Sequence, residues 1–259
     1  MRSLPGILLL IASGAALSQP VPNLQAGADD LAFQREAVEA FAERAYSYRI
    51  DELRAAGKLD RDPVLVARLG AAMRRVAAAA VAEQPAAASI PWEVHTCRAC
   101  GESASAMAGG KLLVGEEFLA AHKLTGDEMA YVLAHEAGHV LAQHTRELAS
   151  VARYFVDNGL HREYWDIQRE LDASFAAQLH MAFVSARQEE EADRIGFVLG
   201  ARAGFAPRAM LSLLAKLELD AAGGVSSFGS HPSGARRLAL AAAMLGTADA
   251  VFTEPAAGP

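Results

Sequence analysis

The stretch Thr125–Leu141, "TGDEMAYVLAHEAGHVL", constrains the fold of this chain most, because its start, register and buried side are all set locally. Thr125 can cap a helix whose third residue, Glu128, reaches back to it, and Leu124 and Met129 hold the two apolar positions that staple such a start. Met129, Val132, Leu133, Ala137, Val140 and Leu141 then recur at helical spacing and predict one buried stripe. In that register His135 and His139 are four apart, so both rings leave the same face, one turn from each other. Two imidazoles so spaced can grip one zinc ion, and Glu136, one step round, can face a water there without ligating the metal. Gly138 weakens the helix by about 1 kcal/mol relative to alanine, and it allows another element to pack closely behind the pair. His144 lies five residues past His139, about 140° round an uninterrupted helix. It is expected to be packed or hydrogen-bonded, not a third ligand. His95, His122, His161 and His180 show no partner pattern and read as ordinary histidines.

A third ligand is offered by "SARQEEEADRIGFVLG", Ser185–Gly200. Ala192, Ile195, Val198 and Leu199 give this segment an apolar helical side. Glu189 and Asp193 are four apart, one above the other. Glu189 can complete a His-His-Glu zinc site, and Asp193 can accept the free ring N–H of a ligating histidine and so hold its tautomer. Glu190 and Glu191 point to other faces. A solvated acidic run is the common reading of such a segment, but a merely solvated run needs neither this order nor an apolar back.

The rest of the chain predicts an α+β fold, mostly helical, with a small sheet before the histidine-bearing helix. Helical spacing of apolar residues runs from Asp30 to about Leu59. A second helix starts with Asp62 as cap and Pro63 in first position. "SIPWEVHT" (Ser89–Thr96) and "GKLLVGEE" (Gly110–Glu117) read as short strands between glycine and proline. From Glu117 to about Met244 the pattern is helical again. Met1-Arg2, the apolar run Leu4–Leu17 and the small residues at Ala16 and Ser18 read as a signal peptide, residues 1–18, cut before Gln19. An uncleaved N-terminal anchor is the other reading of this run. A flexible leader (19–29), one domain (30–247, core 62–244) and a flexible tail (248–259) are expected to follow. No later segment has the length and apolarity of a membrane span, so the mature chain is expected to be soluble and exported.

Export bears on the two cysteines, Cys97 and Cys100. In an oxidising compartment the leading expectation for this pair is a local disulfide. A zinc knuckle would need four ligands, and a thioredoxin-like site would need the pair at a helix start, with free thiols or redox work as the remaining alternatives. The balance of 24 Lys and Arg against 31 Asp and Glu, a net charge of -7, argues against nucleic acid as a partner.

"HEAGH", "RQEEEADRIG" and "GSHPSGARRLAL", in this order over roughly Asp62–Met244, resemble the HtpX- and BepA-like zinc metallopeptidases. That is metallopeptidase family 48, which also holds the CAAX-processing and Oma-type enzymes. The resemblance implies a zincin-like (gluzincin) domain with one Zn2+ per chain on His135, His139 and Glu189, and Glu136 as general base. It places the family's H-P-S-x-x-x-R element on His231, Pro232, Ser233 and Arg237. His231 is then expected to stabilise the oxyanion or to plug the open metal position, with an ordinary loop role as the alternative, and Arg237 is expected to lie behind the ligands. The strand Lys111, Leu112, Leu113, Val114, Gly115 is expected to offer its edge to an extended or unfolded polypeptide. "SASAMA" (Ser103–Ala108) departs from the family's usual stretch before Gly-Gly and is expected to be a remodelled loop. The function expected is a zinc endopeptidase acting on exported, unfolded or misfolded envelope proteins. A chaperone-like holdase that keeps the metal site, or another zinc hydrolase, is the alternative.

Overall fold

The computed structural model describes residues 31–222 and 235–253. The signal segment, the leader, and His231 with Pro232 and Ser233 lie outside the described residues. Helix α1 spans Arg35–Ala55. It begins later than the apolar spacing implies, because Arg146 binds the carbonyls of Leu31 and Phe33 and holds this lead-in outside the helix. Helix α2 (Pro63–Glu83) starts where expected: the Asp62 carboxylate accepts from the Val64 and Leu65 amides, each at 3.0 Å, and Pro63 opens the first turn.

Three strands follow: β1 (Glu93–Cys97), β2 (Ala104–Met107) and β3 (Lys111–Gly115), arranged β1-β3-β2. β1 runs parallel to β3, pairing Glu93 with Lys111 and Cys97 with Gly115. β2 runs antiparallel to β3, pairing Ala104 with Val114 and Met107 with Lys111. This topology departs from the sequence expectation at two places. "SASAMA" is not a remodelled loop, since its residues Ala104–Met107 form a strand. Lys111–Gly115 is the central strand with both edges paired, so it has no edge to offer a substrate. The outer edge on that side of the sheet belongs to β2. Gly109 and Gly110, both at positive φ (86° and 82°), turn the chain between β2 and β3. Cys97 and Cys100 form the expected disulfide, which ties the last residue of β1 to the loop that leaves it.

Helix α3 (Glu116–Ala121) leads into α4 (Gly126–Leu141), whose start carries the capping box. The Thr125 hydroxyl accepts from the Glu128 amide at 3.3 Å, and the Glu128 carboxylate accepts from the Thr125 amide at 2.7 Å. The single stripe expected on α4 is too narrow. Every residue from Ala130 to Gly138 is buried, whereas Met129 and Val140 are only half-buried. A helix enclosed all round is central to its fold. Here α7 (Phe175–Arg202) crosses the histidine face, and α2, α8 (Pro207–Ala222) and α9 (Ala235–Thr253) pack about the rest. A smaller core joins α1, α5 (His144–Ala152), α6 (Tyr164–Ala173) and the first half of α7 through Val38, Ile167, Leu171 and Met181. The expected tail from residue 248 is helical as far as Thr253, because Ala248 and Val251 pack into the main core. No helix among the described residues is long and apolar enough to cross a membrane.

Glu128 ties α4 to α8 as well as capping it, accepting from Ser212 Oγ at 2.6 Å and Lys216 Nζ at 2.7 Å. Burial alone would raise its pKa, but Lys216, Ser212 and the Thr125 amide hold the carboxyl below its usual value. A depressed folded pKa contributes stability above the unfolded value, and that stability is lost as pH falls through the folded pKa. Glu128→Gln is therefore expected to lower unfolding free energy by about 1–3 kcal/mol at pH 7. In urea titrations the gap between variant and parent should close below about pH 4. A gap that is the same at both pH values would refute this account.

Candidate metal centre

Two glycines set the centre by letting α4 and α7 touch at backbone distance. A Cβ on Gly138 would sit 2.8 Å from the Ala192 carbonyl oxygen, and one on Gly196 would sit 2.8 Å from the His135 backbone. The close packing behind Gly138 expected from the sequence is thus reciprocal. It brings Glu189 of α7 against His135 and His139 of α4. His135 Nε2 lies 3.1 Å from His139 Nε2 and 3.4 Å from a Glu189 oxygen, and His139 Nε2 lies 3.4 Å from the other Glu189 oxygen. A tetrahedral zinc ion with bonds of about 2.0–2.2 Å separates its ligand atoms by roughly 3.3–3.6 Å. The two histidines and the glutamate can thus hold one metal ion with little movement.

The charges agree with that fit. Glu136, Glu189 and Asp193 are buried carboxylates, 1–4% exposed, and among the described residues one buried guanidinium, Arg237, faces them. Arg237 on α9 donates to both Asp193 oxygens, at 2.6 and 2.7 Å, and to Glu189 at 3.1 Å. Asp193 Oδ1 accepts from His135 Nδ1 at 3.0 Å. Burial works against ionised Asp193, but Arg237 and His135 hold its pKa below the usual carboxylate range. For His135, burial alone would lower the pKa, yet Asp193 and Glu189 push it up to about 10. The donor set is an anionic pocket that calls for a cation.

His144 sits nearer the pair than the sequence suggested. The roughly 140° separation holds only for one continuous helix, but α4 ends at Leu141. Gln143 then adopts a left-handed conformation (φ 56°), and α5 restarts at His144. The buried His144 ring thereby meets His139, Nδ1 to Nδ1 at 2.8 Å, and turns its Nε2 to Glu191 at 3.4 Å. Glu190 pairs with Arg236 and stays out of the cluster. His95 is not without partners: it bridges Asp60 and Glu93, at 2.5 and 2.9 Å, away from the centre. Beside His139 a cleft opens between Arg35 and Val38 of α1, Ala106 and Ala108 at the β2 end, and Gln143 and Arg146 at the α4–α5 corner.

A histidine pair one helical turn apart, completed by a carboxylate from a second helix and set beside a small sheet, is the arrangement of a zincin-like metallopeptidase domain. This chain belongs to peptidase family M48, which it matches over residues 65–244. It is 33% identical over 156 residues to the mitochondrial metalloendopeptidase OMA1 of Arabidopsis thaliana, covering 59% of this chain and 31% of that protein. It is 31% identical over 155 residues to the protein of the same name from Schizosaccharomyces pombe, covering 58% of this chain and 45% of that protein. The chain thus spans less than half the length of either of these relatives.

The helix crossing yields a direct test. Gly196→Ala, although small and favourable to helix formation, must push the Ala192–Gly196 turn off His135. Zinc content is expected to fall well below one ion per chain, with helical circular dichroism retained. Full zinc occupancy in this variant would show that the close approach does not set the centre.

Proposed function

We propose that this protein is a zinc-dependent endopeptidase. The observation that carries the reading is the mutual spacing of the His135, His139 and Glu189 donor atoms, within a buried anionic site next to Glu136. When bound, zinc lowers the pKa of a water towards neutrality and polarises a peptide carbonyl. Glu136 takes a proton from the attacking water and carries it to the leaving amine. Asp193 accepts the His135 Nδ1–H and so leaves the Nε2 lone pair free, where it would hold the metal. Arg237 fixes Asp193 and Glu189 together and offsets part of their charge. His231, seven residues after Gly224 in a glycine- and serine-rich stretch, supplies a donor for the oxyanion.

The substrate reading shifts with the sheet order. An extended polypeptide adds to β2, whose outer side leads to the cleft at His139, by backbone hydrogen bonds that read conformation more than side chains. Such recognition suits unfolded or misfolded proteins. With the signal-like N-terminus and the Cys97–Cys100 disulfide, it supports a role on exported proteins of the cell envelope.

Metal analysis and casein digestion, with and without chelator, test the activity. Glu136→Gln is expected to retain zinc and lose at least about 100-fold in kcat, and Glu189→Ala is expected to lose zinc while Glu190→Ala keeps it. His231→Ala should lower kcat with zinc in place. Casein binding without new free amines in the zinc-loaded parent would favour a holdase and overturn the peptidase reading.

Export has its own measurement. Intact mass of the protein from its native host is expected to show an N-terminus near Gln19 and two hydrogens fewer than the reduced chain. A full-length chain with reactive thiols in the cytoplasm would contradict it.

A further inference from the structure

The two histidines of the centre are backed by different groups. Asp193 stands directly behind His135, whereas behind His139 stands a second imidazole, His144, with Glu191 behind that. With a metal held at the two Nε2 atoms, the geometry leaves little choice of protonation in this line. Two Nδ1 atoms 2.8 Å apart require one to donate and the other to accept. If His139 presents its Nε2 lone pair to a metal, its N–H is on Nδ1, and His139 is the donor. His144 then accepts at Nδ1 and, as a neutral ring, carries its proton on Nε2, which faces the Glu191 carboxylate at 3.4 Å. The opposite assignment would put the His139 proton on Nε2 and close that nitrogen to a metal.

The line is held at each step. Glu191 is also gripped by Arg187, at 3.2 Å. The His144 carbonyl accepts from Gln188 at 3.0 Å, and Gln188 in turn donates to Glu147 at 2.7 Å, so the start of α5 is pinned to α7 one residue before Glu189. Gln143 accepts a left-handed backbone, uncommon for a residue with a side chain, and with it the chain turns His144 back onto His139.

We propose that His144 and Glu191 are positioning residues that lock His139 in its Nε2-ligating tautomer and set how tightly and how long the centre keeps zinc. This inference rests on the zinc reading above. It makes His139 the ligand with the longer and more exposed support: Glu191 is 26% exposed at its side chain against 5% for Asp193.

The test uses the full purified chain and does not depend on activity. Zinc affinity and the rate of zinc loss to a chromophoric chelator are measured for the parent, His144→Leu, His144→Asn and Glu191→Ala. His144→Leu removes the acceptor and is expected to weaken zinc binding about 10–100-fold, with faster release and an altered visible spectrum of the cobalt-substituted protein. His144→Asn restores an acceptor oxygen near the Nδ1 position and is expected to recover most of the affinity, which a merely space-filling role would not predict. Glu191→Ala takes away a side chain at the rim and is expected to speed release several-fold with no change in the melting of the metal-free chain. Parent-like affinity, release and cobalt spectrum in His144→Leu would overturn the proposal. If His144→Leu does not fold, an unchanged release rate in Glu191→Ala overturns it instead. A parent chain that binds no zinc would reject the zinc reading itself.

Discussion

The approach of α4 to α7 is the constraint on which the rest of the centre depends. Packed helices commonly keep their axes 8–10 Å apart, a distance set by the side chains between them. Here Gly138 meets the Ala192 backbone and Gly196 meets the His135 backbone, so at these two points beside the centre no side chain props the helices apart. Donor atoms from the two helices can then come within 3.4 Å without long or mobile side-chain reach. A glutamate reaching across an ordinary helix interface would arrive extended and with more rotamers to lose. The glycines weaken each helix slightly, and the burial of α4 on every side offsets that loss.

Close packing in turn buries charge, which costs several kcal/mol per ion unless partners are supplied. Asp193 answers this with the His135 ring on one side and both arms of Arg237 on the other. Arg237 comes from α9, so that helix does more than cover the core with Ala241, Ala248 and Val251. It carries the buried guanidinium that faces Asp193 and Glu189 and so couples α9 to the centre. Its first turn follows directly in sequence on the segment that contains His231.

Much of this was legible from single residues. The capping box at Thr125 and Glu128 and the Asp62–Pro63 start are local chemistry, and local chemistry survives into the fold. The grouping of His135, His139 and Glu189 was legible because helical periodicity places two of them and a second periodic segment offers the third. What was missed depended on non-local partners. β2 is built from Ala, Ser and Met with little intrinsic strand preference, so it exists because β3 lies beside it. The break between α4 and α5 carries neither glycine nor proline, and Gln143 gives no sign that it turns left-handed. The contact of His144 with His139 was therefore invisible to any argument that ran the helix on. The ordered end of α9 was missed for the opposite reason: its apolar residues read as too short for a membrane span, and their burial against the core could not be seen.

Sheet order also decides which residues any bound chain would meet. A central strand buried on both edges, as Lys111–Gly115 is, cannot take a third partner, whereas an edge strand presents unpaired N–H and C=O groups to whatever reaches it. Exposed edges invite unwanted pairing, and proteins guard them by keeping them short and partly covered. β2 is four residues long, and Glu39 of α1, paired with Arg35, stands against Gly109 just beyond its end. The edge is thus short enough to limit aggregation, and its small side chains leave room beside His139. Larger residues at Ala106 or Ala108 would fill the cleft that separates this edge from His139. The weak strand preference that hid β2 in the sequence follows from the same choice of small residues that keeps the approach to His139 open.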